Sequence, residues 1–142
     1  MSIEENKAIV RRIFDEAWNG RDFSGLGDLI AASYVERGAP PGVALPPGPE
    51  GVRALLGMFH QAFPDLHITV DDILGEGDRV AVRTTARGTH QGALGALPAT
   101  GKQVAVPAIL FFRIAGGKVV DRWEVFDQMG MMQQLGVLPA AP

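Results

Sequence analysis

Apolar and polar positions change their period once along this chain. In the first part, apolar residues recur every three or four positions. Ile9, Ile13, Phe14, Ala17 and Trp18 form one stripe of a helix. Ser2-Ile-Glu-Glu5 precedes the stripe as a capping box, with Ser2 as cap and Glu5 reaching back. Asn19-Gly20 stops the helix. Asp22 is placed to cap a second, shorter helix that carries Phe23, Leu26, Leu29 and Ile30 on its apolar side, and Tyr34-Val35 follow. From Gly38 to Pro49 prolines and glycines are too dense for a helix or a ladder, which predicts a loop of the kind used as a lid or binding loop. Pro49 opens a third helix with Val52, Leu55, Leu56, Phe59 and Phe63 on its buried stripe, and Pro64 ends it.

From Leu66 onward the period is two. Leu66, Ile68 and Val70 alternate with His67, Thr69 and Asp71, and Gly75–Asp78 turns the chain. The next strand puts Val80, Val82, Thr84, Ala86, Gly88 and His90 on one face, and Arg83, Thr85, Arg87 and Thr89 on the other. A Gly/Ala/Pro loop from Gln91 to Gly101 leads to a third strand from about Gln103 to Ile114. Pro107 interrupts that strand and predicts a bulge or an unpaired edge. Ala115-Gly-Gly-Lys118 is a two-residue hairpin signal. Counting back from it sets Phe112 opposite Asp121, Leu110 opposite Trp123 and Val106 opposite Asp127. Asp121, Trp123, Val125 and Asp127 would then share the apolar face of Val106, Ala108, Leu110 and Phe112. The other face mixes Ile109, Phe111, Val120 and Phe126 with Arg113, Arg122 and Glu124, a composition suited to a homodimer interface. Met129, Met132 and Leu135 suggest a short closing helix ended by Gly136. The order predicts an α+β fold: three N-terminal helices packed on a curved antiparallel sheet, cone-shaped around an apolar pocket, with a short C-terminal helix.

Composition narrows the class. The 142 residues suit one domain spanning 1–142. A net charge of -3 gives no reason to expect nucleic acid or an acidic membrane surface as a partner. The absence of cysteine excludes disulfides and thiolate chemistry. The N-terminus lacks the basic-then-apolar order of a signal peptide, and no apolar run approaches membrane-spanning length, so a soluble cytoplasmic protein is expected.

The strand from Lys118 to Asp127 ends on an acid, and that acid is the leading candidate for chemistry. Facing Val106, Leu110 and Trp123, Asp127 would be desolvated and its pKa raised toward a working acid–base range. Asp127 also directly precedes the closing helix, where Asp is a favoured cap, and both readings stand open. His90 ends its strand on the apolar face and could donate to a carbonyl or shuttle a proton; the alternative is a strand-end histidine bonded to backbone. Asp121 lies near the hairpin turn and is expected in solvent. Trp123, Tyr34, Phe14, Trp18, Phe59 and Leu110 are core or the wall of a pocket for an apolar small molecule. His60, His67 and His90 show no metal-ligand spacing, and neither a Ser-His-Asp arrangement nor a phosphate or dinucleotide loop is evident, so no metal or cofactor is expected.

The order and spacing of several segments resemble a known family. They are Asn6–Phe14 with Trp18-Asn-Gly20, Pro47–Val52, Ala62–Asp65, Gly77–Val82, Gly88-Thr-His90, Thr100-Gly101, Gly117-Lys118, Trp123, Asp127 and Gln134-Leu-Gly136. Together they resemble the SnoaL-like polyketide cyclases (ester cyclases) of the nuclear-transport-factor-2-like superfamily. The resemblance implies a curved sheet around an apolar pocket, usually in a dimer. It also implies an aldol-type cyclisation by a pocket acid–base group without cofactor, and on this pattern His90 and Asp127 take the family's positions. Related isomerisation, epoxide hydrolysis and ligand binding without chemistry are the alternatives; epoxide hydrolysis would need a further Asp/Arg pair around a water, and Arg83 and Arg87 are expected to face outward. The chain departs from the pattern near Tyr34, with Arg37 within Tyr34-Val-Glu-Arg-Gly38 where a histidine often follows Tyr-Val. It departs again before Trp123, with Asp121-Arg122 in place of Glu-His, and at Pro107.

Overall fold

A computed structural model describes residues 2–38 and 42–139. The capping box forms as read. Ser2 Oγ accepts the Glu5 N–H at 3.0 Å, Glu5 Oε1 accepts the Ser2 N–H at 3.2 Å, and α1 runs Ile3–Arg12. The helix then widens into a π-helical segment, Ile13–Asn19, which ends at Gly20. Both residues at the end of this segment are bonded elsewhere. The Trp18 carbonyl accepts His60 Nε2 at 2.7 Å. The Asn19 amide bonds the Ile68 backbone in both directions, each at 2.8 Å. Asn19 thus occupies one pairing position on the free side of the edge strand.

The second helix is shorter than expected. α2 is Leu26–Leu29, and its N-cap is Gly25, without a side-chain cap. Asp22 instead closes the turn before it, accepting the Ser24 N–H at 3.0 Å and its hydroxyl at 2.6 Å. A short acid bonds most easily to a backbone two residues on, so the local turn takes the carboxylate before the helix begins. α3 runs Pro49–Ala62 with proline in its first turn. Most of the Gly38–Pro49 loop lies within the described residues and is free of helix and strand, while residues 39–41 lie outside them.

The sheet has the order β1-β2-β3-β4, with β1 His67–Glu76, β2 Arg79–Thr89, β3 Gln103–Ala115 and β4 Lys118–Phe126, all antiparallel. Val80, Val82, Val106, Leu110 and Phe112 are buried in one core with Ile13, Phe14 and Leu56 from the helices. Phe14 meets Phe112 edge to face at 6.1 Å. α4, Gln128–Gln134, closes against β3, where the Gln134 amide bonds the Ala105 backbone both ways at 2.6 and 3.0 Å.

The hairpin turn is as read, but the register beyond it is not. Gly116 and Gly117 take positive φ (59° and 78°), and Ala115↔Lys118 and Ile114↔Val119 pair around them. The next pair is Arg113↔Asp121, so Val120 is an extra residue, a β-bulge. A slip of one residue swaps every later side chain to the opposite face. Phe112 therefore pairs with Arg122, Leu110 with Glu124 and Phe111 with Trp123. Contacts on both sides hold the bulge. Val119 is buried and its carbonyl accepts the Ala31 N–H at 2.9 Å, while Asp121 pairs with Arg113 outside at 2.7 Å.

Pro107 causes no bulge. Its ladder with β2 continues through Thr85↔Pro107. Its carbonyl points to the β4 side and accepts the Asp127 N–H at 3.1 Å, and its missing N–H falls on that same side, just past the last β3–β4 pair, Ala108↔Phe126. The edge reading of Pro107 is the one the ladder supports.

Removing the Asn19 amide leaves the Ile68 backbone groups without their partner. Asn19→Ala should cost about 2 kcal/mol in a urea titration, from two lost hydrogen bonds at a partly buried position. A loss below about 0.5 kcal/mol would mean that water replaces the amide without penalty.

Candidate active site

The slip in register moves the leading candidates off the concave face. Trp123 lies on the outer face, 48% exposed, with the Arg79 guanidinium over its ring at 5.8 Å. Asp127 is exposed and caps α4, its Oδ1 accepting the Gly130 N–H at 2.9 Å. It does not face Val106 or share a surface with an apolar pocket. His90 is on the concave side and fully buried. Its Nδ1 accepts the Thr100 N–H at 3.1 Å, and its ring lies on Phe63 at 5.3 Å. Nδ1 is thus an acceptor, which puts the ring hydrogen on Nε2, and Nε2 has no hydrogen-bond partner. The His90 backbone also closes the base of the 91–101 loop, through Lys102 at 2.9 Å and Gly101 at 2.8 Å. Phe14, Trp18, Leu110 and Tyr34 are buried in the core, and Phe59 packs on Trp18 at 6.0 Å.

What β4 does turn inward, past the bulge, is Arg122 and then Glu124, with Phe126 following toward the open end. Across from them the chain after Ile30 brings Tyr34 and Glu36. The Glu36 side chain is 3% exposed and that of Arg122 12%. Arg122 Nη2 lies 3.0 Å from Glu36 Oε1 and 3.8 Å from Glu124 Oε1. Glu36 also accepts the Tyr34 hydroxyl at 2.8 Å and the Gly38 N–H at 2.8 Å. Three donors thus converge on one carboxylate, which satisfies it as an anion. Burial pushes the Tyr34 phenol far above its usual range, so it stays protonated and donates.

Glu124 is the unsettled member. Its side chain is 30% exposed, and it holds the longer of the two contacts to Arg122. Burial pushes its carboxyl above the usual glutamate range; Arg122 draws it back in part, and Glu36 adds to the rise. One guanidinium neutralises one carboxylate, and Glu36 has the closer claim. A second negative charge beside the pair is therefore the one that protonation removes at least cost.

Tyr34, Glu36 and Arg122 border a small cavity whose other walls include Trp18, Leu56 and Phe112. Its volume is about 20 Å³, room for about one water. A wider groove of about 300 Å³ runs between the hairpin tips at Gly77-Asp78 and Gly116-Gly117. Its polar side chains are Asn6 and an exposed aspartate, Asp78, and an amide does not exchange a proton with it, so the small cavity is the better candidate for acid–base chemistry.

A helical layer on a curved four-stranded sheet with polar groups inside is a shape shared with known proteins. The family model for SnoaL-like polyketide cyclase matches residues 8–135. The chain belongs to that family. Among curated relatives of this SnoaL-like chain, aklanonic acid methyl ester cyclase DnrD of Streptomyces peucetius is 30% identical over 129 residues, 90% of this chain and 88% of the relative. The corresponding cyclase DauD of Streptomyces sp. (strain C5) is also 30% identical over 129 residues, covering 90% of this chain and 80% of its own. The solved structure of TsrD from Streptomyces laurentii superposes with a TM-score of 0.86 at 28% identity, covering 97% of this chain and 99% of that one.

Within this SnoaL-like domain, the departure at Arg122, where histidine commonly precedes the tryptophan, pairs with Glu36, the residue before the departure at Arg37. Reading the sequence missed Glu36, Arg122 and Glu124. The available signal was the alternation of Arg122 and Glu124 on a strand otherwise rich in apolar residues, set against an assumed ladder without a bulge.

Arg122→Met should cost about 3–5 kcal/mol of stability, because Glu36 is left as a buried, unpaired charge. The double variant Glu36→Gln/Arg122→Met should recover most of that loss in the same denaturant titration. Equal costs for single and double variants would show that packing, and not the charge pair, governs this site.

Proposed function

We propose that the chain is a cofactor-independent enzyme of carbonyl chemistry and that Glu124 is its acid–base group. The observation that carries this reading is the raised Glu124 carboxyl beside Arg122 on the concave face of β4. As a carboxylate, Glu124 takes a proton from the carbon next to a carbonyl. That carbon forms a bond to a second carbonyl carbon of the same molecule, and the alkoxide formed there regains a proton from the Glu124 carboxylic acid. The sum is a ring closure without a leaving group and without change of mass. A raised pKa serves both halves, since it makes the carboxylate a better base and keeps the acid available near neutral pH. Aklanonic acid methyl ester, which the relatives' names specify, is the natural first substrate to test. His90 and Asp127 act in support: His90 fastens the loop at residues 91–101 and Asp127 starts α4.

The two residues rank differently from the sequence expectation, and activity decides between them. With aklanonic acid methyl ester, Glu124→Gln should lose roughly 10²–10⁴-fold in kcat, the usual contribution of a general base. Asp127→Asn should stay within a few-fold of the parent, because asparagine caps about as well as aspartate. The parent rate should rise with pH through an inflection above the ordinary glutamate range, since the base must be ionised. The opposite ranking of the two variants would return the role to Asp127. An ester that neither cyclises nor takes up deuterium from solvent would overturn the acid–base reading.

A second reading rests on a specific observation as well. Arg83 and Arg87 bond outward to Asp72 and Thr69, whereas Arg122 lies inside beside Glu36, a glutamate–arginine pair where epoxide hydrolysis would use aspartate and arginine. A water in the small cavity would then be the nucleophile, and incorporation of labelled oxygen from water into a diol product would select this reading over cyclisation.

The partner on the outer face is a second copy of the chain. Ile109, Phe111, Trp123 and Val125 stand exposed on adjacent strands in the register pairs Ile109↔Val125 and Phe111↔Trp123. The ion pairs Arg113–Asp121 and Arg83–Asp72 flank them on the same sheet, an apolar centre with a charged rim. Light scattering should give the dimer mass for the parent and the monomer mass for Phe111→Glu/Val125→Lys; an unchanged mass would place the interface elsewhere. Among the described residues no helix is long and apolar enough to cross a membrane, and the cytoplasm is the location this reading favours.

A further inference from the structure

We infer that Arg122 is an oxyanion anchor: its unspent N–H groups hold the oxygen of an enolate formed on the substrate, and the site is specific for ligands that present such an oxygen. The inference rests on the acid–base reading of Glu124 and adds a receiver for the charge that Glu124 gives up.

A guanidinium has five N–H groups in a fixed fork. Among the described residues Arg122 hydrogen-bonds through Nη2 to Glu36, and it also bonds Tyr34. Two bonds leave three of its five N–H groups without a named partner among the described residues. They lie on a side chain that is 12% exposed and that borders the cavity. Donors left unspent at the polar end of an apolar cleft stabilise a negative oxygen far more than they would in water.

Charge conservation supplies the second step. Before reaction the site holds Glu36 and Glu124 as anions around one cation. When Glu124 removes the proton, the C–H electron pair becomes the new C=C bond and the carbonyl π pair moves onto oxygen. The negative charge leaves Glu124 and appears on the substrate oxygen, while Arg122 stays in place. The cation that lay 3.8 Å from the Glu124 carboxylate then faces the enolate, and the net charge of the enclosed site does not change. Glu36 and Tyr34 hold the guanidinium still during this exchange, so little reorganisation accompanies it. A space of about 20 Å³ admits an oxygen and not a ring, which suits an oxygen on Arg122 with the carbon skeleton outside the cavity, on the side where Glu124 lies 3.8 Å from the guanidinium.

The consequence for substrate class is specific. An enolate anchored by a cation can form from a simple ketone or ester, without a second carbonyl on the same carbon to spread its charge. The probe for the test is cyclohexane-1,3-dione, an enolate at neutral pH, and its neutral counterpart is cyclohexanone; binding is read by ligand-observed NMR with the full chain. The parent should prefer the enolate by about tenfold or more, the difference of one charge-assisted hydrogen bond. In Glu36→Gln/Arg122→Met, chosen to avoid a stranded charge, the preference should fall to about two-fold or less, and Arg122→Lys should retain part of it. Glu124→Gln should keep the preference or increase it, since a competing anion is removed. A parent without enolate preference, or a double variant that retains it, overturns the anchor. If Glu124→Gln loses cyclisation while Arg122→Lys turns over at the parent rate, the acid–base reading stands and the anchor falls. If Glu124→Gln stays active while enolate binding depends on Arg122, the anchor stands and Glu124 is not the base.

Discussion

Side-chain parity along β4 governs what this protein can do, and the extra residue at Val120 sets it. Before the bulge, Val119 is inside and locked to Ala31; after it, Arg122 and Glu124 take the inner positions that Asp121 and Trp123 would otherwise hold. A strand offers only two faces, so a single insertion exchanges the whole set. The outer face changes with it: Trp123 and Val125 join Ile109 and Phe111 in an exposed apolar band, and the acid at the end of the strand is released to cap α4. The candidate active site, the candidate dimer surface and the start of the last helix thus share one cause.

Inside, the governing quantity is charge in a place with little water. The Glu36 side chain is almost wholly buried, and a guanidinium, a phenol and a backbone N–H all donate to it. Replacing such a pair by apolar residues of equal volume is often neutral or stabilising, so its stability contribution alone gives little reason for it. The pair leaves Glu124 with a share of one cation and its carboxyl above the usual glutamate range. The same geometry is what suits the second carboxylate to the proposed role of base.

Much of the architecture was legible because it is encoded locally. The capping box at Ser2 and Glu5, the proline at the head of α3 and the Gly-Gly turn each depend on residues within a few positions, and each forms as read. Asp22 was misassigned for the same local reason, since a turn two residues away competes with a helix cap. The face of β4 was not legible: Val119 and Val120 are both apolar, and either could have pointed inward. Nothing in the alternation marks which is the extra residue. The Arg122–Glu36 pair was further out of reach, because its partners lie 86 positions apart and meet only after the sheet curves under the helices. His90 was placed on the correct face, but only the structure shows that its acceptor nitrogen is bound to the backbone of Thr100.

The half of β3 that outruns β4 is an open edge, and open edges invite other strands. Here the backbone groups that face outward along it are already engaged. The Gln134 amide takes both groups of Ala105, the Asp127 N–H takes the carbonyl of Pro107, and the proline has no donor to offer. A foreign strand arriving at this edge finds no run of free partners to copy. That end of β3 therefore offers no template for a further strand, and the proposed second copy would meet the broad outer surface face to face, without merging ladders there.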